Sequence, residues 1–389
     1  ICMDTQEKLD ILSRDAQYDL SCACGTKNPL EHRRRKESGE GWLYPLSTAS
    51  GGAGIILKTL MGNRCVNDCK YCPLRSQNDF RAVAVGASEM ASFFYRFQLQ
   101  RPLLGLFLSS AVMGDPEKTM QMLVDTARIL RVTYQYKGYI HLKIIPGASQ
   151  ASIDGALKYA SAVSLNIETP GEKHFDNLTE RKNYLRDIIA PLKYIASVTG
   201  KGTTHPRVKT TSQFIVGASD ENDREIVSYC NAMYRNLHME RLYFSSYQRG
   251  LGDPRIPGET RAPTIMRQTG ELFGGDVSGQ MSLMREHRLY QTDFLLRKYH
   301  FDSKEILFGK DGNLSLEKDP KLVWAEAHPE YYPVSANNGT LDQLLRVPGI
   351  GPEYAKRIVK ARLCGRFHVM DDLPLPQYAK KKSSGYLFV

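Results

Sequence analysis

The chain has 389 residues, of which 42% are hydrophobic, and its 52 Lys and Arg against 42 Asp and Glu give a formal net charge of +10. That length allows two or three domains, or a barrel with an appendage, and the hydrophobic share excludes a disordered chain. No apolar run reaches the length of a membrane helix and residues 1–30 lack a signal peptide's apolar stretch, so a cytoplasmic protein with no membrane partner is expected. The basic balance favours a polyanionic partner, although a solvated charged surface gives the same count.

Residues 1–50 are polar and irregular and read as an N-terminal extension, with Cys2, Cys22, Cys24 and the basic run His32-Arg33-Arg34-Arg35-Lys36. From residue 51 to 246 strand and helix alternate. The apolar run Ile55 to Leu60 leads into a cysteine loop. Ser88 to Gln98 reads as a helix and Leu103–Ser109 as a strand. Asp115-Pro116 then opens a helix carrying Met120, Leu123, Val124, Ala127 and Leu130 on one face; proline suits a first helical turn, where its missing amide would have no partner. Strands Tyr139–Ile145, Ala162–Ile167, Thr211–Val216 and Arg241–Ser245 follow, separated by helices Gln150–Tyr159, Arg181–Ser197 and Asp220–Leu237.

Such alternation predicts an α/β fold with a parallel sheet and a site at the C-terminal ends of its strands. It is read as a partial (β/α)6 barrel, although a flat doubly wound sheet gives the same alternation. Residues 247–337 form a loop and helical extension, Gly- and Pro-rich over 247–280 (Phe273-Gly274-Gly275 included), then helical over Ser282–Tyr299. A small helical module is expected over 338–370. A basic tail follows over 371–389, with Lys380-Lys381-Lys382 expected to be disordered.

The chemistry is densest at Cys65-Val-Asn-Asp-Cys69-Lys-Tyr-Cys72. Three of the chain's eight cysteines offer thiolates on one short loop and withhold a fourth. A four-iron cluster held by three thiolates keeps one iron open, and an open position is what a catalytic metal site needs. Structural zinc is the competitor, but it closes with four ligands in two pairs, and the C-x-C of Cys22 and Cys24 does not complete that spacing. A disulfide framework does not suit a long chain without a secretory signal. Cys22 and Cys24, with Cys2, leave room for a second cluster, whereas Cys230 and Cys364 lie in helical patterns and read as core or inert. Arg64 and Lys70 flank the loop as candidate cations near a cluster.

A second pattern is C-terminal. Over residues 341–359, Val347-Pro348-Gly349-Ile350-Gly351 sits between two helical stretches. Gly349 and Gly351 permit a tight turn that exposes amides at the start of the second helix, a ready anion site, and Lys356 or Arg357 would add charge to a phosphate grip. Gly349, Ile350, Gly351, Lys356 and Arg357 are therefore the candidate nucleic-acid contacts, which would position a duplex without reading its sequence. The segment resembles a helix-hairpin-helix element. Those usually work in pairs and a second Gly-x-Gly hairpin is absent from the sequence, so docking of a partner protein stays open.

The C-x3-C-x-aromatic-C spacing, with Tyr71 as the aromatic, resembles the signature of the radical S-adenosylmethionine (SAM) enzymes. The resemblance implies a 4Fe–4S cluster on Cys65, Cys69 and Cys72, with SAM on the open iron. It also implies cofactor contacts from Tyr71, from Ser109 with Gly114-Asp115 before Pro116, from Asn166 and Glu168, and from Gly217. The usual Gly-Gly-Glu-Pro of the second strand is kept only as Gly114, an acid and Pro116. Within that superfamily the chain is similar to the DNA modification or repair group, in which a barrel precedes a helix-hairpin-helix. The shared features include Gly41-Trp42, Arg285-Glu-His287-Arg-Leu-Tyr-Gln291, and Trp324 near His328-Pro329. Met370 to Val389 departs from that group's pattern.

What the resemblance implies is an enzyme that cleaves SAM reductively and modifies or repairs nucleic acid, DNA ahead of RNA. Its expected partners are an electron donor such as a flavodoxin or ferredoxin and a DNA-repair protein. Two alternatives stand beside it: a radical SAM reaction on RNA, a peptide or a small molecule, and a non-catalytic DNA-binding protein with a structural or redox-sensing cluster. His287 and Arg285 read equally as substrate contacts or as a packed polar network.

Overall fold

The computed structural model describes residues 3–16, 41–47, 53–260 and 277–389. Cys2, Cys22, Cys24, the basic run at 32–36 and Phe273-Gly274-Gly275 lie outside the described residues. The chain divides into two compact units, residues 1–221 with 232–286, and residues 222–231 with 287–389.

The first elements in chain order are α1 (Thr5–Ala16), β1 (Leu43–Ser47), β2 (Ala53–Leu60), α2 (Ala87–Gln100), β3 (Gly105–Ser109), α3 (Pro116–Arg128), β4 (Tyr139–Lys143) and α4 (Gln150–Tyr159). They continue with β5 (Ala162–Ser164), α5 (Glu172–Asp176), α6 (Ala190–Val198), β6 (Lys209–Val216), α7 (Asp223–Leu237), β7 (Arg241–Ser246), α8 (Pro257–Thr260) and α9 (Val277–Lys298).

Strands β1 to β7 form one sheet in sequence order, with β1 antiparallel to β2 and every later pair parallel. This order decides between the two architectures the alternation allowed. A doubly wound sheet reverses its strand order at a switch point. Here β2 to β7 advance without reversal, the order of an incomplete (β/α)6 barrel. Strand β6 is buried at every position but its first, as expected where helices leave a strand no solvent face.

Helix α3 buries Met120, Leu123, Val124 and Ala127, the face its spacing predicts. Asp115 caps it by accepting the Glu117 N–H at 2.7 Å, and Pro116 opens the first turn. The helix expected over 181–197 starts later, as a π turn at Tyr184–Ile189 that runs into α6. Asn183 stops it there by accepting the Arg186 N–H at 2.8 Å, which frees residues 178–182 for another task. Strand β1 lay in the stretch read as irregular; it is five residues long and contains Pro45, which an edge strand tolerates.

The second unit adds α10 (Pro320–Ala327), β8 (Val334–Ser335), α11 (Leu341–Arg346), α12 (Pro352–Ala361), α13 (Gln377–Ser383) and β9 (Leu387–Phe388). The expectation of a disordered tail is corrected. Residues 377–383 are helical, β9 pairs in parallel with β8, and Ala379 and Leu387 join Leu344, Val347, Ile350 and Ile358 in one apolar core. The lysine run is accommodated because its charges stay outside: Lys382 reaches Asp319 at 2.7 Å and Lys380 reaches the Asp371 carbonyl at 2.8 Å. Among the described residues no helix is long and apolar enough to cross a membrane.

Candidate cofactor site at the strand ends

The cysteine loop leaves the C-terminal end of β2 and is fastened on two sides. Toward β3, Val66 donates its N–H to the Val112 carbonyl at 2.9 Å and Ala111 donates to Gly62 at 2.9 Å. Toward residues 178–182, Lys70 N–H reaches the Leu178 carbonyl at 2.7 Å, and the Arg181 guanidinium reaches the Val66 carbonyl. The Asp68 carboxylate accepts the Thr179 hydroxyl at 2.5 Å and the N–H groups of Glu180 at 2.9 Å and Arg181 at 3.3 Å. Burial works against its charge, but these donors outweigh burial and hold the Asp68 carboxyl below its ordinary value. Within the loop, Cys72 N–H closes a turn on the Cys69 carbonyl at 2.8 Å. Arg75 braces the same turn through the carbonyls of Cys72 at 3.2 Å and Leu251 at 3.0 Å.

Cys65, Cys69 and Cys72 are free thiols, and all three line one cavity with Tyr71, Ser109, Asn166 and Glu168. The cavity is built from the C-terminal ends of the parallel strands. Ser109 ends β3 and Ser110 follows it, Lys143 ends β4 and Ile144 follows it, Asn166 and Glu168 lie beyond β5, and Ile215 belongs to β6. Seven of the expected metal and cofactor residues thus share one space. Gly114, Asp115 and Gly217 are not among its lining residues. Gly114 (φ +77°) precedes the Asp115 cap of α3, and Gly217 (φ +87°) ends β6 and donates its N–H to Glu221 at 2.6 Å.

Glu168 occupies the left-handed region at φ +65°, a costly conformation for a non-glycine residue and one that clusters at functional sites. It persists because the backbone is fixed on both sides: Glu168 N–H reaches the Gln213 carbonyl at 3.0 Å and Ile215 N–H reaches the Glu168 carbonyl at 2.8 Å. Its side chain accepts from Tyr71, and the Asn166 amide stands at 3.5 Å.

Lys182 also enters the cavity, a residue that sequence reasoning missed. It is 8% exposed, it lines the cavity with Cys65, Cys69 and Cys72, and its ammonium lies 5.3 Å from the centre of the Phe175 ring. Burial opposes its charge, but Cys69 and Glu168 outweigh burial and hold the amine charged above its ordinary range. Of the two cations that flank the loop, Lys70 is taken up by Glu180 at 2.9 Å, and Arg64 is exposed. No motif marks Lys182; only the return of residues 178–182 to the cysteine loop brings it there.

The donor set fits an iron–sulfur cluster. Burial pushes the Cys69 and Cys72 thiols up, so ligation itself must supply the thiolates. Among the described residues no three His, Cys, Asp or Glu side chains converge as ligands of one metal ion. Three thiols around a shared space, each for a different iron, match a cluster better than a mononuclear site. The other described cysteines do not line it: Cys230 is buried and Cys364 is exposed, so of the expectation that both are core or inert, core does not hold for Cys364. Arg285 belongs to a polar network, donating to the Glu221 carbonyl at 2.9 Å beside the Glu221 carboxylate at 3.7 Å.

The second unit brings the hairpin residues together. Gly349 adopts φ +84° between α11 and α12, and a Cβ there would meet Lys382 Cβ at 3.0 Å and the Ala379 carbonyl at 3.1 Å. Gly351 is the N-cap residue of α12, and Ile350 is buried with its carbonyl accepting from Lys321 at 2.5 Å. Helix α12 turns Ala355 and Ile358 inward and leaves Lys356, Arg357 and Lys360 exposed.

No family model matches the chain, and no curated protein matches it. Among solved structures it is similar to methylornithine synthase (PylB), at 12% identity and a TM-score of 0.43, covering 61% of this chain and 62% of that one. It is similar to HydG, a maturase of the FeFe-hydrogenase, at 10% identity and a TM-score of 0.42 over 85% of this chain and 80% of that one. A third is the radical S-adenosylmethionine methyltransferase TsrM from Kitasatospora setae, at 12% identity and a TM-score of 0.37 over 49% of this chain and 35% of that one. The chain thus spans under two thirds of the length of methylornithine synthase. At these scores the likeness carries no argument about chemistry, which rests on the residues of the cavity.

Proposed function

We propose that the chain is a radical SAM iron–sulfur enzyme that acts on nucleic acid, DNA ahead of RNA. The observation that carries the enzyme reading is the convergence of Cys65, Cys69 and Cys72 on one cavity with Tyr71, Ser109, Asn166 and Glu168. Bound there, a 4Fe–4S cluster and SAM would supply reductive cleavage of SAM to a 5′-deoxyadenosyl radical. The chain's own residues position and enclose. The three thiols would hold the cluster, and the Asp68 anchor keeps their loop in place. Ser109, Asn166 and Glu168 offer polar contacts to a cofactor, while Ile144, Ile145, Leu165 and Ile215 exclude water around it. An electron donor such as a flavodoxin or ferredoxin is the partner this chemistry requires.

The nucleic-acid part rests on different ground: the net charge of +10 and the exposed Lys356, Arg357 and Lys360 of α12 behind the Gly349–Gly351 turn. The test is 5′-deoxyadenosine release by the anaerobically reconstituted, dithionite-reduced protein with SAM, alone and with DNA or RNA. Release that rises with DNA supports the full reading. Release indifferent to both nucleic acids keeps the enzyme and removes the substrate.

A further inference from the structure

Among the described residues two carboxylates line the cavity at the strand ends, Glu168 and Asp15. Glu168 belongs to the barrel, as the resemblance implies. Asp15 comes from α1, a helix that precedes the sheet, and no motif marks it. Asp115, the acid expected at the cofactor, is not among the lining residues and caps α3 instead. Helix α1 is held firmly enough to place a side chain: Leu9, Leu12 and Ala16 are wholly buried, and Lys8 and Thr5 donate to the Glu89 carboxylate of α2 at 2.8 Å and 2.9 Å. The Asp15 side chain is half-buried, and its Oδ2 accepts from the Asn63 side-chain amide at 2.7 Å. Asn63 is 1% exposed and fixed in turn. The same amide nitrogen donates to the Arg81 carbonyl at 2.9 Å, and its oxygen accepts the Val83 N–H at 2.7 Å. Two residues separate Asn63 from Cys65, so Asp15 is set at the root of the cysteine loop. Holding the Asn63 amide needs only a neutral acceptor, so that bond does not account for the charge, and it leaves Oδ1 for a donor in the cavity.

We propose that Asp15 is a SAM-binding residue, its carboxylate accepting a hydrogen bond from the amino group of the cofactor. The proposal rests on the radical SAM reading and extends its cofactor site to the N-terminal helix. SAM carries positive charge on its sulfonium and on its amino group. The sulfonium has no hydrogen to donate, and the adenine and ribose donors are neutral. The amino group is therefore the one charged donor, and hydrogen bonds between charged partners are the strong ones. A half-buried carboxylate with an acceptor to spare, fixed through Asn63 beside the loop that would hold the cluster, suits that group.

The test compares two affinities of the anaerobically reconstituted protein, with its iron and sulfide counted: that for SAM and that for an analogue in which hydrogen replaces the amino group. Wild type is expected to prefer SAM. Asp15→Asn keeps an acceptor for Asn63 and removes the charge. Its preference for SAM over the analogue is expected to shrink by about tenfold, the scale of one charge-assisted hydrogen bond, with the affinity for the analogue unchanged. Asp15→Asn with a full cluster and the wild-type ratio of affinities overturns the proposal. An equal loss for both ligands overturns it too, since that is what a merely structural carboxylate would give. Where Asp15→Asn takes up no cluster, Asp15→Ser, which also offers Asn63 an acceptor, is read in the same way. A wild-type protein that assembles no cluster, or binds no SAM, is a separate failure, of the proposed function itself.

Discussion

Asp68 and Thr179, 111 residues apart, meet in a hydrogen bond of 2.5 Å between the Thr179 hydroxyl and the Asp68 carboxylate. The bond is one of several that join the cysteine loop to the segment that carries Lys182. Asp68→Ala removes a buried acceptor from three donors, and charge-assisted bonds of this kind contribute about 1.5–3 kcal/mol. The variant should lose stability of that order in chemical denaturation and bind less iron after reconstitution. Unchanged stability and full iron content would show that the loop is held by its other contacts.

Cys65→Ala, Cys69→Ala and Cys72→Ala should each abolish the visible absorption and the iron content of a 4Fe–4S cluster. Cys364→Ser, at an exposed thiol, should leave both at wild-type levels. Iron content that survives the first three replacements would assign the metal to other ligands.

Lys321 supplies a pH dependence to the second unit. Burial pushes its amine down to about 7; Asp319 works against that shift and Lys382 with it, while the Tyr299 ring lies 4.6 Å away and the Ile350 carbonyl accepts its hydrogen bond. Between this value and the unfolded value near ~10.4, the unfolded chain holds a proton that the folded unit lacks, so stability rises with pH across that window. Below about 7 the full penalty of the charged, buried amine is present, on the order of a few kcal/mol. Lys321→Met should flatten the dependence, read as the denaturation midpoint against pH from Trp324 fluorescence in a Trp42→Phe background. Parallel curves for the two proteins would remove Lys321 as the source.

Gly349→Val forces a β-branched residue into φ +84° and a Cβ to within 3.0 Å of Lys382, which should destabilise the unit by about 1–3 kcal/mol. Lys356→Ala with Arg357→Ala touches only exposed side chains and should leave stability within about 0.5 kcal/mol of wild type. If α12 grips phosphate, the double variant should weaken DNA binding across sequences and reduce the salt slope by about 2. A slope equal to wild type would move the contact to other basic surfaces.

Much of the first unit was legible because its signals are local. Strand and helix periods placed β3 to β7, and the spacing of three cysteines marked the loop. What stayed hidden depends on long-range return of the chain. Nothing near Lys182 or Thr179 in sequence announces the cavity, since their places in it exist only once residues 178–182 fold back onto the cysteine loop at Asp68 and Lys70. Gly114, Asp115 and Gly217 illustrate the opposite difficulty: a motif-like glycine or acid beside a strand end also suits a turn or a helix cap, and Asp115 is engaged as one. In the tail, the charges of Lys380 to Lys382 masked Ala379, Ser383 and Leu387, whose burial makes the segment fold.

The central claim is that Cys65, Cys69 and Cys72 hold a cluster with one iron left for SAM. The most direct measurement is the electron paramagnetic resonance spectrum of the reconstituted, reduced protein before and after SAM is added. The account predicts a reduced 4Fe–4S signal that changes when SAM binds and is absent from Cys69→Ala. A signal identical with and without SAM, from a protein shown to contain a full cluster, would contradict it.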